Sequence, residues 1–243
     1  MKFQLRKARS EDVNSITAIK RLTWPDEECD PAQVSAALSA PTHQAHVAEA
    51  EGQVVGFVDG FLTRAAAGLS RWEVDLLAID PQYRRRGLGS RLVSVSTQAG
   101  IQSGGSLARA LIHVENHSSA SVFTRSGYKP QSDKLTLMVL GRDTGLTDTN
   151  TLNANLHLKS AGGQTPLDKP YLVPVNTINY TGLWQENHFT HEGFAAARRM
   201  LKEYDCQLVG AVIPVDDKAS LATAGAAGFE SIGNYRWWVW FGV

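Results

Sequence analysis

Three arginines run directly into two glycines in the segment Arg84-Arg85-Arg86-Gly87-Leu88-Gly89-Ser90. Gly87 and Gly89 leave backbone N–H groups uncovered by any Cβ. The residues from Leu88 onward have a helical pattern. A helix N-terminus carries unpaired N–H donors and a partial positive charge, which together attract phosphate. Guanidinium groups add full charges and forked donors. The stretch therefore reads as a cradle for a diphosphate. A Walker loop would need Gly-Lys-Ser/Thr after a longer glycine-bounded loop, and no lysine is present. A dinucleotide fingerprint would need a third glycine three residues after Gly89, and Leu92 stands there. Both absences argue against ATP, NAD or FAD as the ligand.

A cradle of this kind needs a strand to enter it and a helix to leave it. Arg71 to Asp80 supplies the strand, Pro81 the turn, and the helix carries Leu88, Leu92, Val95 and Ala99 on one face. Upstream, Phe3 to Ala8 reads as a strand. Ser10 caps a helix with Val13, Ile16, Ile19 and Leu22 on its apolar side. A second helix starts near Asp30-Pro31. Two strands, His46 to Ala50 and Gln53 to Phe61, meet at Glu51-Gly52. Downstream come a strand from Ala108 to Val114 and a short helix from His117 to Arg125. Two more strands follow, around Tyr128 and over Leu135 to Leu140.

The motif Arg84-x-x-Gly87-x-Gly89 resembles the acyl-CoA-binding signature of the GNAT N-acetyltransferases, Gln/Arg-x-x-Gly-x-Gly/Ala. Leu77-Ala78-Ile79-Asp80-Pro81 before it agrees with that family, and so do Arg6, Ala8, Asp12 and Ile16 near the start. The order β-α-α-β-β-β-α-β-α-β-β is that of a GNAT domain. Val114-Glu-Asn116-His-Ser-Ser119 and Gly127-Tyr128 resemble the second GNAT signature. The resemblance implies an α/β fold, with a mixed, mostly antiparallel central sheet flanked by helices. It implies that Arg84 to Ser90, that is Arg84, Arg85, Arg86, Gly87, Leu88, Gly89 and Ser90, hold the diphosphate of acetyl-CoA. It implies further that Leu77, Ala78 and Ile79 offer backbone groups to pantetheine between splayed strands, and that Asn116 and Ser119 contact the pantetheine arm. Asn116 also suits a helix cap. Phe123 stands where the family usually has a tyrosine that reprotonates the CoA thiolate, and phenylalanine has no proton to give.

The implied reaction is direct attack of an amine on the thioester carbonyl, without metal or redox cofactor. The base is sought on the strand entering the cradle. Glu73 is the first candidate and Asp75 the second, on one face by the two-residue period. The bland alternative is that both pair with nearby arginines. His113 is expected to be a satisfied polar residue. The competing function is a non-catalytic CoA-binding or protein-interaction module. The acceptor, a small-molecule or peptide amine, is not specified by the sequence.

Lysine plus arginine equals aspartate plus glutamate at 24 each, which gives no reason to expect nucleic acid or an anionic membrane as partner. Cys29 and Cys206 are too few for a disulfide framework. His188 and His191 have no third ligand nearby in sequence, so no zinc site is expected. No apolar run reaches the ~20 residues that span a bilayer. A cytoplasmic protein is the default expectation.

The last hundred residues repeat the first part. Leu183 and Gly193 lie 106 residues after Leu77 and Gly87. Val215, Asp217, Ser220, Gly228 and Phe229 lie 101 after Val114, Asn116, Ser119, Gly127 and Tyr128. The change of offset places a five-residue loss in the helix and the loop after it. Thr190, His191 and Glu192 replace the arginines, so CoA is expected at the first copy alone. The expected organisation is a complete domain over 1–143, a Gly/Thr/Asn/Asp/Pro-rich linker over 144–170 with a strand near Leu156 to Leu158, and a degenerate half-domain over 171–243. The molecule is then a monomer with pseudo-dimeric lobes, or a homodimer. Arg236-Trp237-Trp238-Val239-Trp240-Phe241, apolar on both faces, reads as a buried or interface strand.

Overall fold

Alternating apolar residues and glycine turns produce the expected order of elements through residue 141. The structure, a computed structural model, describes residues 2–27, 29–65, 68–141 and 172–242. The expected linker and the strand near Leu156 lie outside these residues. The first unit contains strand β1 (Phe3–Lys7), helices α1 (Val13–Thr23) and α2 (Pro31–Ser39), and strands β2 (His43–Ala50), β3 (Gln53–Arg64) and β4 (Ser70–Ile79). Helix α3 (Leu88–Gln102), strand β5 (Leu107–His113), helix α4 (His117–Arg125), a two-residue strand β6 (Lys129–Pro130) and strand β7 (Leu135–Gly141) complete it. The second unit has β8 (Leu172–Asn176), β9 (Thr181–Gln185), α5 (His191–Glu203), β10 (Leu208–Pro214), α6 (Lys218–Ala226) and β11 (Glu230–Phe241).

All the strands join one mixed sheet in the order β1-β2-β3-β4-β5-β11-β7-β10-β9-β8, with β6 also on β11. The two units exchange their last strands. β5 pairs along its whole length with β11, Leu107 opposite Phe241 and His113 opposite Tyr235. β10 pairs in the same way with β7, Leu208 opposite Gly141 and Pro214 opposite Leu135. β7 and β11 pair with each other at the centre. The apolar run from Arg236 to Phe241 is thus a central strand of the shared sheet. A first unit complete within 1–143 leaves no place for this exchange, because the strand beside β5 comes from the end of the chain.

Three buried clusters fill the spaces between layers. Under α3 and α4 lie Trp72, Val74, Leu88, Leu92, Ala110 and Phe123. Under α5 and α6 lie Met138, Leu183, Phe194, Met200 and Phe229. Beneath α1 and α2 lie Ile16, Val34, Val47 and Phe57, joined by Ile178 from the second unit. The buried face of α3 runs through Leu88, Leu92, Val93, Ser96, Thr97 and Ala99, while Val95 sits at its edge. Two hydroxyls tolerate burial there because they have partners. Ser96 Oγ accepts from Trp72 Nε1 at 3.0 Å, and Thr97 Oγ1 lies 2.6 Å from the Tyr128 hydroxyl.

Candidate active site

The arginine turn folds as a short bridge between β4 and α3. Asp80 caps a single 3-10 turn over Pro81–Tyr83, accepting from Gln82 N at 2.9 Å. Arg84 folds back through Nε onto the Ile79 carbonyl at 3.0 Å, and the Arg86 guanidinium lies over the Tyr83 ring. Arg85 adopts a left-handed φ of 60°. Gly87, at φ 76°, is the N-cap of α3 and has no side chain to cap it. The first-turn amides of Leu88, Gly89 and Ser90 therefore lack an intrahelical acceptor, and open space surrounds Gly87 where a Cβ would stand. Arg84 to Gly87 are exposed, while Leu88 and Gly89 are buried. Positive side chains surround an uncapped positive helix end, an arrangement suited to a diphosphate.

β4 and β5 run parallel and pair only at Arg71–Glu73 with Leu107–Arg109. Beyond that point they part, as the resemblance implied, and the edge of β4 that carries Leu77, Ala78 and Ile79 is free of β5. On its other side β4 pairs with β3, and the register slips so that Asp75 and Leu76 together face Asp59. A bulge frees an amide that must find a partner. Asp59 supplies it: Oδ1 accepts from Leu76 N at 2.7 Å, and Oδ2 lies 3.0 Å from His43 Nε2. The side chains of Asp59 and His43 have no solvent exposure.

Asn116 is the N-cap of α4, its Oδ1 accepting from Ser119 N at 3.0 Å. Asn116 is exposed and Ser119 is half-buried. Phe123, assigned to the CoA contacts from sequence, is instead a core residue. It is 3% exposed and packs edge-on to Tyr128 at 4.9 Å. Burial raises the Tyr128 phenol well above its usual range, although its bond to Thr97 acts in the opposite direction. Neither ring offers a proton to a thiolate. His113 packs against Tyr235 and accepts from Glu115 N at 3.3 Å.

The two carboxylates proposed as base have separate fates. Glu73 accepts from Thr63 Oγ1 at 2.7 Å and from Arg109 Nε at 2.8 and 3.0 Å, and Arg71 Nε lies 3.4 Å away. Its oxygens are engaged, so the first candidate takes the ion-pair role that was the bland alternative. Glu186 of the second unit pairs with Arg71 and lies 3.6 Å from Arg109 Nη2. Asp75 remains. The residue retains some surface, but its Oδ2 is sealed from solvent and has no hydrogen-bond partner among the described residues. Burial, then Asp59, raise its carboxyl well above the ordinary range, with Glu73 and Glu27 adding to the effect and Lys20 opposing it. A carboxyl raised in this way holds its proton more tightly than an ordinary carboxylate and is the stronger base once ionised.

Sequence reasoning missed the second unit's share in this region. The turn from Thr177 to Tyr180 docks against the first unit. Lys20 Nζ donates to Ile178 O at 3.2 Å and to Asn179 Oδ1 at 2.7 Å, and Gln33 Nε2 donates to Thr177 O at 2.7 Å. No local signal marks Asn179 or Glu186, because their partners lie far away in sequence. Arg71 and Arg109 were within reach, since the two-residue period puts Arg71 on the face of Glu73.

The repeat is visible in three dimensions, with a changed register. The offset of 101 holds: Asp217 caps α6 by accepting from Ser220 N at 3.0 Å, as Asn116 caps α4. Gly228 and Gly127 share left-handed φ values of 88° and 86°. The offset of 106 does not hold. The ladders align Gly182 on Leu208 and Arg71 on Leu107, so β9 ends about where β4 begins to part from its neighbour. Its ladder with β10 runs from Gly182 to Gln185, leaving no splay. Gly193 is not the counterpart of the N-cap Gly87. It lies inside α5, where a Cβ would stand 2.1 Å from the His188 carbonyl. The cap is Thr190, whose side chain accepts from Gly193 N at 3.1 Å. A hydroxyl, and not the Glu192 carboxylate, closes this second helix end.

The acetyltransferase (GNAT) family model matches residues 13–128. No curated protein sequence matches the chain. A tandem GNAT protein from the clavulanic acid biosynthesis pathway is 14% identical, with a TM-score of 0.58 over 99% of this chain and 98% of that one. A GCN5-related glucosamine N-acetyltransferase region of a fungal multi-domain GH3 β-N-acetylglucosaminidase is 12% identical, with a TM-score of 0.62 over 98% of this chain and 38% of that one. At these identities the likeness establishes the fold, two linked GNAT units. No described helix is long and apolar enough to cross a membrane.

Proposed function

Residues 13–128 belong to the GNAT acetyltransferase family, and from that premise we propose that the protein is an acyl-CoA-dependent N-acyltransferase using acetyl-CoA. The observation that carries this reading is the open N-terminus of α3, with Arg84, Arg85 and Arg86 beside it and the unpaired edge of β4 leading away from it. The diphosphate of the co-substrate sits on the amides of Leu88 to Ser90, and the pantetheine arm follows β4 past Leu77, Ala78 and Ile79. An amine attacks the thioester carbonyl, the C–N bond forms, and CoA leaves as the thiolate. Asp75 takes the proton from the attacking nitrogen. With Phe123 and Tyr128 both withdrawn into the core, the thiolate takes its proton from water. Asn116 and Ser119 flank the pantetheine arm. Attack of the amine on the thioester, as written, calls on no metal ion.

Calorimetry with acetyl-CoA tests the cradle. The expected result is saturable binding that Arg84→Ala weakens by about tenfold, the effect of losing one charge-assisted contact of about 1.5 kcal/mol. No heat at millimolar acetyl-CoA overturns the reading. The core position of Phe123 favours one alternative, a CoA-binding module without turnover. That alternative predicts binding with no thiol released across a broad amine panel.

A further inference from the structure

We propose that the acceptor is an unbranched aliphatic primary amine without a neighbouring carboxylate, and that its ammonium enters a cavity formed jointly by the two units. The inference rests on the N-acyltransferase reading and adds the substrate class. The cavity has a volume of about 50 Å³ and lies on the sheet face away from α3. Trp72, Ala108 and Ala110 belong to the core under α3, while Glu73, Asp75, Arg109 and Leu111 alternate to the opposite face and line the cavity. The second unit closes it with Val173, Trp184 and Glu186.

The charges in this cavity specify what is missing. Arg71 and Arg109 each lie between Glu73 and Glu186. Two guanidiniums and two carboxylates form a neutral quartet. Asp75 is left over, with its Oδ2 buried and unpartnered among the described residues. A buried acceptor of this kind is costly until a donor arrives, and the ionised form that acts as base needs a cation beside it. A single ammonium satisfies both needs. A carboxylate next to that ammonium would face Glu73 and Glu186, and the arginines able to receive it are already engaged. This excludes α-amino acids.

The walls set the shape. A cavity near 50 Å³ accommodates roughly a few waters, hence an amine and one or two methylenes but no branch. Phe61, Leu111, Val173, Trp184 and Trp237 offer apolar surface to a hydrocarbon stem. One face of Trp237 is already covered by Arg109, 3.8 Å from the ring centroid. β4 and β5 part beyond Glu73 and Arg109, so the gap between them leads from the cradle side to this cavity. An amine held at Asp75 then meets a thioester carried between the strands. The second unit, whose own helix end is capped by Thr190, serves here to build the acceptor site.

The test uses the full chain saturated with CoA and three matched probes: n-pentylamine, norleucine, which is the same skeleton bearing an α-carboxylate, and the branched tert-amylamine. Trp184 and Trp237 report binding to the CoA-saturated chain by fluorescence, and thiol release in a separate assay with acetyl-CoA and no added CoA reports turnover. The expected result is saturable quenching and thiol release with n-pentylamine, and at least hundredfold weaker responses with the other two. Asp75→Asn is expected to keep its CoA affinity and to weaken n-pentylamine binding at least tenfold. Glu186→Gln frees one arginine and is expected to gain norleucine binding, which also keeps the test open if Asp75→Asn fails to fold. Norleucine binding as well as n-pentylamine, no n-pentylamine binding, or unaltered affinity in Asp75→Asn each overturns the inference. Thiol release with α-amino acids alone would sink the acceptor assignment and leave the acyltransferase reading standing. Binding of n-pentylamine by a protein that takes up no CoA would do the reverse.

Discussion

Asp75 is costly to the fold and useful to the chemistry. Its carboxyl is raised by burial first and then by Asp59, Glu73 and Glu27, against the pull of Lys20. The folded state therefore binds this proton more tightly than the unfolded chain, whose carboxyl titrates near about 3.9. Stability from this group is present below that pH and falls as pH rises toward the folded value. Asp75→Asn is expected to raise the urea midpoint at neutral pH while lowering kcat by about 10²- to 10⁴-fold, the usual worth of a positioned base. The base acts unprotonated, so the wild-type rate falls on acidification at a pH above the ordinary carboxylate range. A pH–rate profile and urea titrations of both proteins check the pair of effects. Asp59 works differently, by holding the β4 bulge. Asp59→Ala strands the Leu76 amide and His43, and is expected to cost about 2–4 kcal/mol in chemical denaturation, one desolvation penalty for each orphaned group. Asp59→Asn keeps the Oδ1 acceptor and is expected to recover at least half of that loss.

At the scale of elements, the first unit was largely legible. Gly87, Pro81 and the apolar spacing of Leu88 and Leu92 announce a turn and a helix from local sequence alone. The role of Asn116 as a cap was equally legible, because a cap involves only its own helix. The assignments that failed depend on partners distant in sequence. Glu73 looked free because Arg109 lies on another strand and Glu186 in another unit. The Gly193 register looked sound because a glycine can sit at a cap or inside a first turn, and only the Thr190 bond distinguishes them. That difference predicts different behaviour at the two helix ends. Thr190→Val removes a cap and is expected to cost about 1 kcal/mol in denaturant unfolding. It should leave acetyl-CoA affinity within twofold of wild type in calorimetry, because β9 offers no parted edge to a pantetheine arm. A matched loss of CoA affinity would mean that the second helix end shares in the binding.

For the whole molecule, the exchange of β7 and β11 matters more than either unit. Sequence periodicity identified β11 as a strand with two apolar faces, but a one-dimensional pattern does not say which neighbours it takes. In the structure, β11 carries all of β5 on one edge and part of β7 on the other, so neither core is sealed by its own unit alone. The docked turn at Ile178 and the Arg71–Glu186 pair add two more links across the same boundary. If either unit unfolded alone, it would strip a strand from the other's sheet and expose long unpaired edges. Separate melting of the two lobes is therefore unfavourable despite the repeat. Scanning calorimetry is expected to show one transition, with the calorimetric and van't Hoff enthalpies in agreement. Two resolved transitions, or a stable first unit surviving proteolysis between residues 142 and 171, would show that the exchanged strands do not bind the units into one cooperative body.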